Sequence, residues 1–272
     1  MDPRADWEQG WTIRQEGPWA VAHLHPRPPC ARCADTGRCA VEIDGALRFG
    51  RCRCRMLPDR VAIYNAAGIP ARHAACSMDS FVTTERGTSG PTPAAAAWSA
   101  VRAWLDDYRP GGDNRGLVLY GEPGRGKTHL AVAACRELVF RHGVAVRFVE
   151  FSHLVADIRD AIGRGDPDRT TLTPYVAPPV LVIDELGKGR NTDWESSILD
   201  ELVSRRYNAR GALLGTTNFP LRAATARRPG LAEPPAATLP ERLGDRVFSR
   251  LRETVTWVHA AGEDHRVPSG RY

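Results

Sequence analysis

The chain has 272 residues, of which 42% are hydrophobic and 25% charged, a composition typical of a folded globular protein. It contains no run near the roughly 18 apolar residues of a membrane-spanning helix, and its first residues lack the apolar stretch of a secretory signal. We therefore expect a cytoplasmic protein. The net charge of +5 is compatible with a nucleic-acid partner without requiring one. Of the 37 basic residues only Lys127 and Lys188 are lysine, which fits codon bias in a GC-rich genome and singles out these two positions.

Five of the seven cysteines lie within residues 30–54. Cys30 and Cys33 form one close pair, Cys52 and Cys54 form another, and 18 residues separate the pairs, which is the spacing of a zinc ribbon. The spacing predicts that these four thiolates bind zinc, with Cys39 as a spare thiol able to replace one ligand; free thiols in a loop are the alternative. Residues 26–60 also carry eight arginines against four acidic residues, so this module can dock on DNA or on an acidic protein surface.

From about residue 93 onward, short apolar segments alternate with helical patterns. This alternation predicts an α/β fold, in which a parallel sheet carries helices on both faces. The expected strands are 117–120, 146–151, 180–184 and 212–218, and the expected helices are 94–108, 128–143, 152–163, 193–211 and 243–252. The predicted domains are an N-terminal zinc module at 1–60, a linker at 61–92, an ATPase domain at 93–266 and a tail at 267–272.

The most specific motif is GEPGRGKT at 121–128, which fits the phosphate-binding pattern G-x-x-x-x-G-K-[ST] at every specified position. It falls between a predicted strand and a predicted helix, where backbone N–H groups and the helix N-terminus cradle phosphates. Lys127 is expected to contact the β and γ phosphates of ATP, and the Thr128 hydroxyl to ligate Mg²⁺. A tight glycine turn without a ligand is the alternative. The predicted ATP-binding residues here are Gly121, Glu122, Pro123, Gly124, Arg125, Gly126, Lys127 and Thr128.

An acidic pair follows the buried strand VLVID at 180–184. Asp184 and Glu185 are delivered to the carboxyl edge of the sheet, where open α/β folds bind ligands. Asp184 suits the Mg²⁺ shell, and Glu185 suits polarising the water that attacks the γ-phosphate. An acidic pair that merely caps a loop is the alternative, and the preceding phosphate-binding motif makes it the weaker one.

Two further polar positions fit a nucleotide switch. Asn218 ends the strand ALLGTTN and is a candidate to hold the attacking water or the γ-phosphate, although an ordinary Asx turn is the alternative. Arg246 and Arg250 lie one turn apart on a short helix. Either arginine can supply charge to the γ-phosphate of a neighbouring subunit, or belong to a solvated basic helix face.

Together the strings CARCADTG…CRC, LVLYGEPGRGKTHLAVA, VLVIDELG, LLGTTN and LGDRVFSRL resemble the bacterial helicase-loader family of AAA+ ATPases (DnaC/DnaI type) and the related IstB-type transposition ATPases. The resemblance covers roughly residues 30–266. It implies an N-terminal zinc module that binds the replicative hexameric helicase, and a AAA+ core that binds ATP and single-stranded DNA. It also implies that Asn218 senses the nucleotide, that Arg250 acts in trans as an arginine finger with Arg246 as the fallback, and that Arg266 contacts nucleotide as a second sensor.

Three functions remain open on the sequence. A helicase loader is favoured because the cysteine pairs fit its N-terminal module. An accessory ATPase for DNA transposition shares the fold and the ATP site, and a helical N-terminal domain would favour it. A metabolic P-loop kinase needs a basic lid over its phosphates, and the proline-rich stretch 226–240 makes a poor one. We therefore expect an ATP-dependent helicase loader.

Overall fold

The computed structural model describes residues 10–43, 46–84, 90–165, 171–223 and 237–264. Within these ranges two antiparallel hairpins precede a five-stranded sheet. None of the described helices combines the length and apolar character needed to cross a bilayer. The elements of the N-terminal part are β1 (Trp11–Glu16), β2 (Trp19–Leu24), β3 (Arg38–Ile43), β4 (Ala46–Arg51), α1 (Met56–Ala66) and α2 (Pro93–Asp107).

The second part of the chain forms the sheet and the helices that cover it. All neighbouring strands are parallel, in the order β6-β7-β8-β5-β9. This confirms the predicted parallel α/β sheet and adds β9, which pairs with β5 at one edge. The strands are β5 (Gly116–Tyr120), β6 (Val146–Glu150), β7 (Val180–Asp184), β8 (Ala212–Thr217) and β9 (Val255–His259). The helices are α3 (Lys127–His142), α4 (Phe151–Gly163), α5 (Thr173–Val176), α6 (Asp193–Asn208), α7 (Leu239–Leu243) and α8 (Asp245–Thr254).

The sheet is buried on both faces, which explains its nearly continuous apolar strands. Side chains alternate across a strand, so Leu117 and Leu119 of β5 join one hydrophobic cluster while Val118 joins the other. The first cluster packs under α2 and α3, and the second under α4, α6 and α8. Because the strands are parallel, the polar residues at their carboxyl ends meet at one edge of this sandwich.

The hairpin β1–β2 packs directly on the ATPase core. Trp11 is 8% exposed and stacks on Phe140 of α3, with ring centroids 3.7 Å apart and planes 2° from parallel. The guanidinium of Arg136 also lies over the Trp11 ring, 4.7 Å from its centroid. Asn65 of α1 fixes the second strand, since its side chain bonds both the N–H and the carbonyl of Ala22, at 2.7 and 3.1 Å.

The region predicted as a linker over 61–92 is part of this packed structure where it is described. Tyr64 and Ile69 are each 1% exposed, and the Phe148 amide of the edge strand β6 donates to the Ala67 carbonyl at 2.7 Å. Residues 61–84 are therefore part of the folded core and do not form a linker. Their apolar side chains cover the sheet edge and α3. Similarly, the module predicted at 1–60 is divided, because β1 and β2 share the hydrophobic core of the ATPase domain.

Replacing Trp11 by Ala tests whether the hairpin belongs to the core. Because the ring is buried in a stacked contact, the substitution should lower the free energy of unfolding by about 3 kcal/mol or more. Trp19 of the same hairpin is 51% exposed, so Trp19→Ala is the matched control and should cost less than about 1 kcal/mol. Urea unfolding followed by far-ultraviolet circular dichroism measures both. An unchanged midpoint for Trp11→Ala would show that the hairpin does not stabilise the core.

Candidate functional site

The phosphate-binding loop connects β5 to α3, as the motif predicts. Gly121, Gly124 and Gly126 adopt φ values of +144°, +81° and +74°, a region that residues with a Cβ rarely occupy. At Gly126 a Cβ would also come within 2.5 Å of the Phe81 ring. The loop thus wraps tightly and ends where α3 begins at Lys127, so its N–H groups and the helix N-terminus share one concavity.

Lys127 is held inside this loop. Its side chain is 6% exposed, and its ammonium group donates to the carbonyls of Gly121 at 2.8 Å and Glu122 at 2.6 Å. The charge is therefore positioned against the concavity, where the β and γ phosphates of a nucleotide provide stronger acceptors. Arg125, which also lines the cavity, pairs with the Glu122 carboxylate at 2.6 Å.

A buried carboxylate joins the loop to two strands. Asp184 is 2% exposed, and its Oδ1 accepts from the hydroxyls of Thr128 at 2.9 Å and Thr216 at 2.5 Å. Burial raises the pKa of Asp184, while the two hydroxyls oppose that rise by stabilising the carboxylate. A divalent cation beside Thr128 would favour the ionised form, so these two residues have the oxygen donors that Mg²⁺ prefers.

Glu185 lies at the mouth of the same site in a strained conformation. Its φ is +56°, and its backbone N–H donates to the Thr216 hydroxyl at 3.0 Å. Its side chain is 25% exposed and its Oε2 lies 2.5 Å from the ammonium group of Lys188. The hydrogen bond to Glu185 raises the pKa of Lys188. Sequence reasoning singled out Lys188 as a rare lysine but gave it no partner.

The loop, Glu185 and Asn218 line one cavity of about 280 Å³. The predicted sensor Asn218 therefore shares a pocket with Lys127 and Thr128. The opposite wall was missed by sequence reasoning, because it comes from the predicted linker: His73, Cys76, Ser80, Phe81 and Val82.

His129, directly after the phosphate loop, anchors that wall. Its Nε2 lies 2.9 Å from the Ser77 carbonyl and 3.2 Å from the Ser80 hydroxyl, and its ring meets Phe81 edge-on at 5.3 Å. Burial lowers the pKa of His73 to about 4, so this ring is neutral at physiological pH. The wall is thus an uncharged, partly aromatic surface beside a phosphate site, which suits the base and sugar of a nucleotide. His129, the histidine in the string GKTHLA, is the sequence signal that could have pointed to this wall.

The three arginines predicted to contact nucleotide are in different situations. Arg250 of α8 pairs within its own chain with Asp200 of α6, and Arg246 approaches the other oxygen of the same carboxylate at 3.7 Å. Neither arginine is among the described residues that line the cavity. Arg266 lies outside the described residues. The nucleotide roles of Arg246, Arg250 and Arg266 therefore stay predictions.

The four predicted metal ligands come together at the base of the second hairpin. The sulfur atoms of Cys30, Cys33, Cys52 and Cys54 all lie within 4.8 Å of one another. Cys30 and Cys52 are 3.8 Å apart, and Cys33 and Cys54 are 3.4 Å apart, close to the ~3.8 Å edge of a tetrahedron with Zn–S bonds of about 2.3 Å. Cys39 is outside this group of four.

The local backbone explains why the sulfurs converge. The Asp35 side chain accepts from the Cys30 amide at 3.1 Å, and Gly37 turns the chain with φ +80° so that its carbonyl accepts from the Cys52 amide at 2.9 Å. In the absence of a cation, hydrogen bonding to Cys33 raises the pKa of Cys54 to about 12. The backbone hydrogen bond from Cys54 lowers the pKa of Cys52. The convergence of four sulfur atoms at tetrahedral spacing fits zinc.

The order of the strands in the sheet, and the polar residues at the carboxyl ends of the strands around the phosphate loop, are those of a AAA+ ATPase. The chain thus binds ATP and hydrolyses it, as the sequence predicts. Similar proteins indicate more closely which AAA+ ATPases this chain resembles.

The family of IstB-like ATP binding proteins matches residues 111–227. The replicative helicase loader DnaC of Escherichia coli K12 is 26% identical over 190 residues, which are 70% of this chain and 68% of DnaC. The crystal structure of the DnaC helicase loader aligns with a TM-score of 0.58, covering 70% of this chain and 99% of that chain at 26% identity. An ATP-binding protein of insertion sequence IS5376 from Geobacillus stearothermophilus is 34% identical over 91 residues, 34% of this chain and 36% of its own. The chain is therefore similar to IstB-like ATP binding proteins over residues 111–227 and to the DnaC loaders over 70% of its length, which confirms the resemblance of its motifs.

Lys127→Ala tests the phosphate site. The variant loses a buried ammonium group that donates charged hydrogen bonds to phosphate, so ATP affinity should fall about 100-fold or more. Arg210→Ala is the control, because it removes one positive charge from a side chain that is 75% exposed and lies outside the cavity lining. Isothermal titration with a non-hydrolysable ATP analogue measures both variants. ATP affinity within threefold of the parent in Lys127→Ala would contradict the assignment.

Proposed function

We propose that the chain is an ATP-dependent loader of the replicative hexameric DNA helicase, which it binds through the zinc module and places on single-stranded DNA. The observation that carries this proposal is the similarity to DnaC over 70% of the chain, together with a four-cysteine module. ATP binding and hydrolysis are the switch between holding and releasing the helicase. A role at the replication fork places the protein in the cytoplasm.

The ATPase step follows from the residues of the cavity. Thr128 and Asp184 would hold Mg²⁺, which supplies charge to the β and γ phosphates when bound. Glu185 accepts a proton from the water that attacks the γ-phosphorus, and Asn218 orients that water. The bond between the γ-phosphorus and the bridging oxygen then breaks, and Lys127 stabilises the charge that develops on ADP.

The helicase would dock on the second hairpin. Leu47 and Phe49 are two residues apart on β4 and therefore lie on the same face of the hairpin. Their side chains are 79% and 82% exposed, which is unusual for apolar side chains of this size. Arg38, Arg51 and Arg55 share a surface concavity with Phe49. Exposed apolar residues ringed by arginines resemble the centre of a protein interface more than a solvated surface. Zinc bound by the four cysteines would fix the hairpin that presents this docking face.

A pull-down with the replicative helicase of the host tests the docking face. The double variant Leu47→Ser and Phe49→Ser should weaken capture at least about tenfold, because it removes the apolar centre of the interface. Ile162→Ser is the control, since Ile162 is an exposed apolar residue on α4. ATP hydrolysis should be unchanged in both variants. A zinc chelator should also abolish capture while the circular dichroism of the ATPase core persists.

Capture that survives the double variant and the chelator would remove the zinc module from the proposal. A chelator that melts the whole chain would instead show that metal and core form one folding unit.

Hydrolysis in an assembly would use Arg250 from a neighbouring subunit. In the single chain Arg250 is 29% exposed and held by Asp200, so it is close to the surface but already paired. The γ-phosphate of ATP in an adjacent subunit offers more negative charge than one carboxylate and would compete for the guanidinium. Self-association through Arg250 is therefore part of the proposal.

Arg250→Ala should leave ATP affinity within about twofold and remove at least about 90% of the hydrolysis that assembly or single-stranded DNA stimulates. Hydrolysis measured over a range of protein concentrations, with and without DNA, separates these quantities. Arg246→Ala is the comparison, because Arg246 shares the Asp200 carboxylate but is 79% exposed. Loss of stimulation in Arg246→Ala, with normal stimulation in Arg250→Ala, would move the finger to Arg246.

An accessory ATPase for DNA transposition is the second candidate. The match of the IstB-like family to residues 111–227 and the 34% identity to an insertion-sequence protein favour it. Such a protein would assemble on duplex DNA and recruit a transposase instead of a helicase. ATP-dependent filaments on duplex DNA, without capture of the helicase, would select this function.

A further inference from the structure

The chain that leaves strand β9 runs along the phosphate loop. The Ala260 amide donates to the Tyr120 carbonyl at 2.8 Å, and the ring of His259 stacks on that of Tyr120 with centroids 5.0 Å apart. Gly121, the first residue of the loop, leaves room for this chain, since a Cβ there would lie 2.1 Å from the Ala260 carbonyl oxygen. The backbone after β9 is therefore held against the end of β5 and the start of the loop.

Asp264, four residues further along, brings a carboxylate onto the loop. Its Oδ1, Cγ and Oδ2 atoms lie 1.9, 2.2 and 2.6 Å from the position that a Cβ on Gly124 would occupy. Any side chain at residue 124 would therefore collide with this carboxyl group. The phosphate-binding pattern leaves residue 124 unspecified, so the motif alone does not explain the glycine. The contact with Asp264 and the φ of +81° together explain it.

The carboxylate acts on the phosphate cavity from outside. Residues 124–128 line the cavity, whereas Asp264 is not among the described residues that line it. Asp264 therefore leaves the space for the phosphates open, and it influences a bound nucleotide through its charge. The N–H groups of a phosphate loop and the N-terminus of the following helix attract any anion. The Asp264 carboxylate and the phosphates of a nucleotide thus respond to the same positive field.

The charged side chains within the loop leave one positive charge for the phosphates. Arg125 and Glu122 pair with each other at 2.6 Å. Lys127 is 6% exposed and is positioned against the concavity by the carbonyls of the loop. Asp264 thus sets one negative charge against the loop in which a single ammonium group provides the attraction.

We propose that Asp264 weakens the affinity of the phosphate loop for nucleotide, so that ADP leaves after hydrolysis. Phosphates that enter the loop either repel the carboxylate at close range or displace it from the loop, and both cost binding free energy. The cost grows with the charge of the phosphates, and the exposure of Asp264 to solvent keeps it moderate. This inference rests on ATP binding by the chain, and it holds for a helicase loader and for a transposition ATPase alike.

Asp264→Asn tests this role, because it removes the charge and keeps the shape of the side chain. At about 0.1 M NaCl its Kd for ADP should fall about threefold to tenfold below that of the parent. At about 1 M NaCl the Debye length shortens to about 3 Å, so the two Kd values should agree within about twofold. Glu263→Gln is the matched control, since Glu263 is an exposed carboxylate one residue earlier and should bind ADP as the parent does. Isothermal titration with ADP and Mg²⁺ measures each Kd, and far-ultraviolet circular dichroism checks each fold.

A Kd for ADP that is unchanged or higher in Asp264→Asn would overturn the inference. Tighter binding that persists undiminished at high salt would also overturn it, because the substitution would then act through the shape of the loop and not through charge. Equally tight binding in Glu263→Gln would assign the effect to the general surface charge and remove the role of Asp264. Asp264→Glu, which keeps the charge, should stay within about threefold of the parent, and a tenfold lower Kd in this variant would contradict the proposal.

Discussion

One buried carboxylate oxygen, Oδ1 of Asp184, holds the catalytic edge of the sheet together. It receives the hydroxyl of Thr128 from the phosphate loop and that of Thr216 from the adjacent strand β8, and Thr216 in turn receives the amide of Glu185. The phosphate loop and β8, which are distant in sequence, are thereby tied to one acceptor at the end of β7. Because the oxygen is almost fully desolvated, loss of either hydroxyl leaves a buried charge poorly satisfied. The positions of Thr128, Asp184 and Glu185 depend on this small network.

The nucleotide site extends beyond the ATPase domain recognised in the sequence. Phe81 fills the space above Gly126, and His129 reaches back to the backbone of Ser77. This segment follows α1, which is itself fixed to the first hairpin by Asn65. If a change of bound nucleotide moved the cavity wall that contains Phe81, packed contacts would therefore transmit that movement to β2 and α1, which flank the cysteine module.

Much of the fold and most of the ATP site could be predicted from the sequence. The strands at 117–120 and 180–184 are apolar runs that end in a glycine turn or an acidic pair, and local patterns of this kind specify both the strand and its chemistry. The four cysteines could be predicted because their spacing alone carries the signal.

Other features could not be predicted, because they depend on contacts between distant segments. The sequence around Trp11 does not indicate that its ring stacks on Phe140. Nor does it indicate that residues of the predicted linker line the cavity beside the phosphate loop. Strand β9 is an edge strand of mixed polarity, in which exposed or half-buried residues separate the buried Val255 and Val258, so it gives no continuous apolar run. The partner of Arg250 was equally hidden, since a basic helix face does not reveal which carboxylate it meets.

The cysteine module is an insertion between two anchored elements. The strand β2 ends at Leu24 and helix α1 begins at Met56, and both pack against the ATPase core. A domain on one flexible tether samples many orientations and loses that freedom when it binds a partner. A module attached at two points has little orientational freedom to lose. Any partner held by Leu47 and Phe49 would thus be presented to the ATPase in a restricted set of orientations. The geometry of the complex is in this sense specified before the partner arrives.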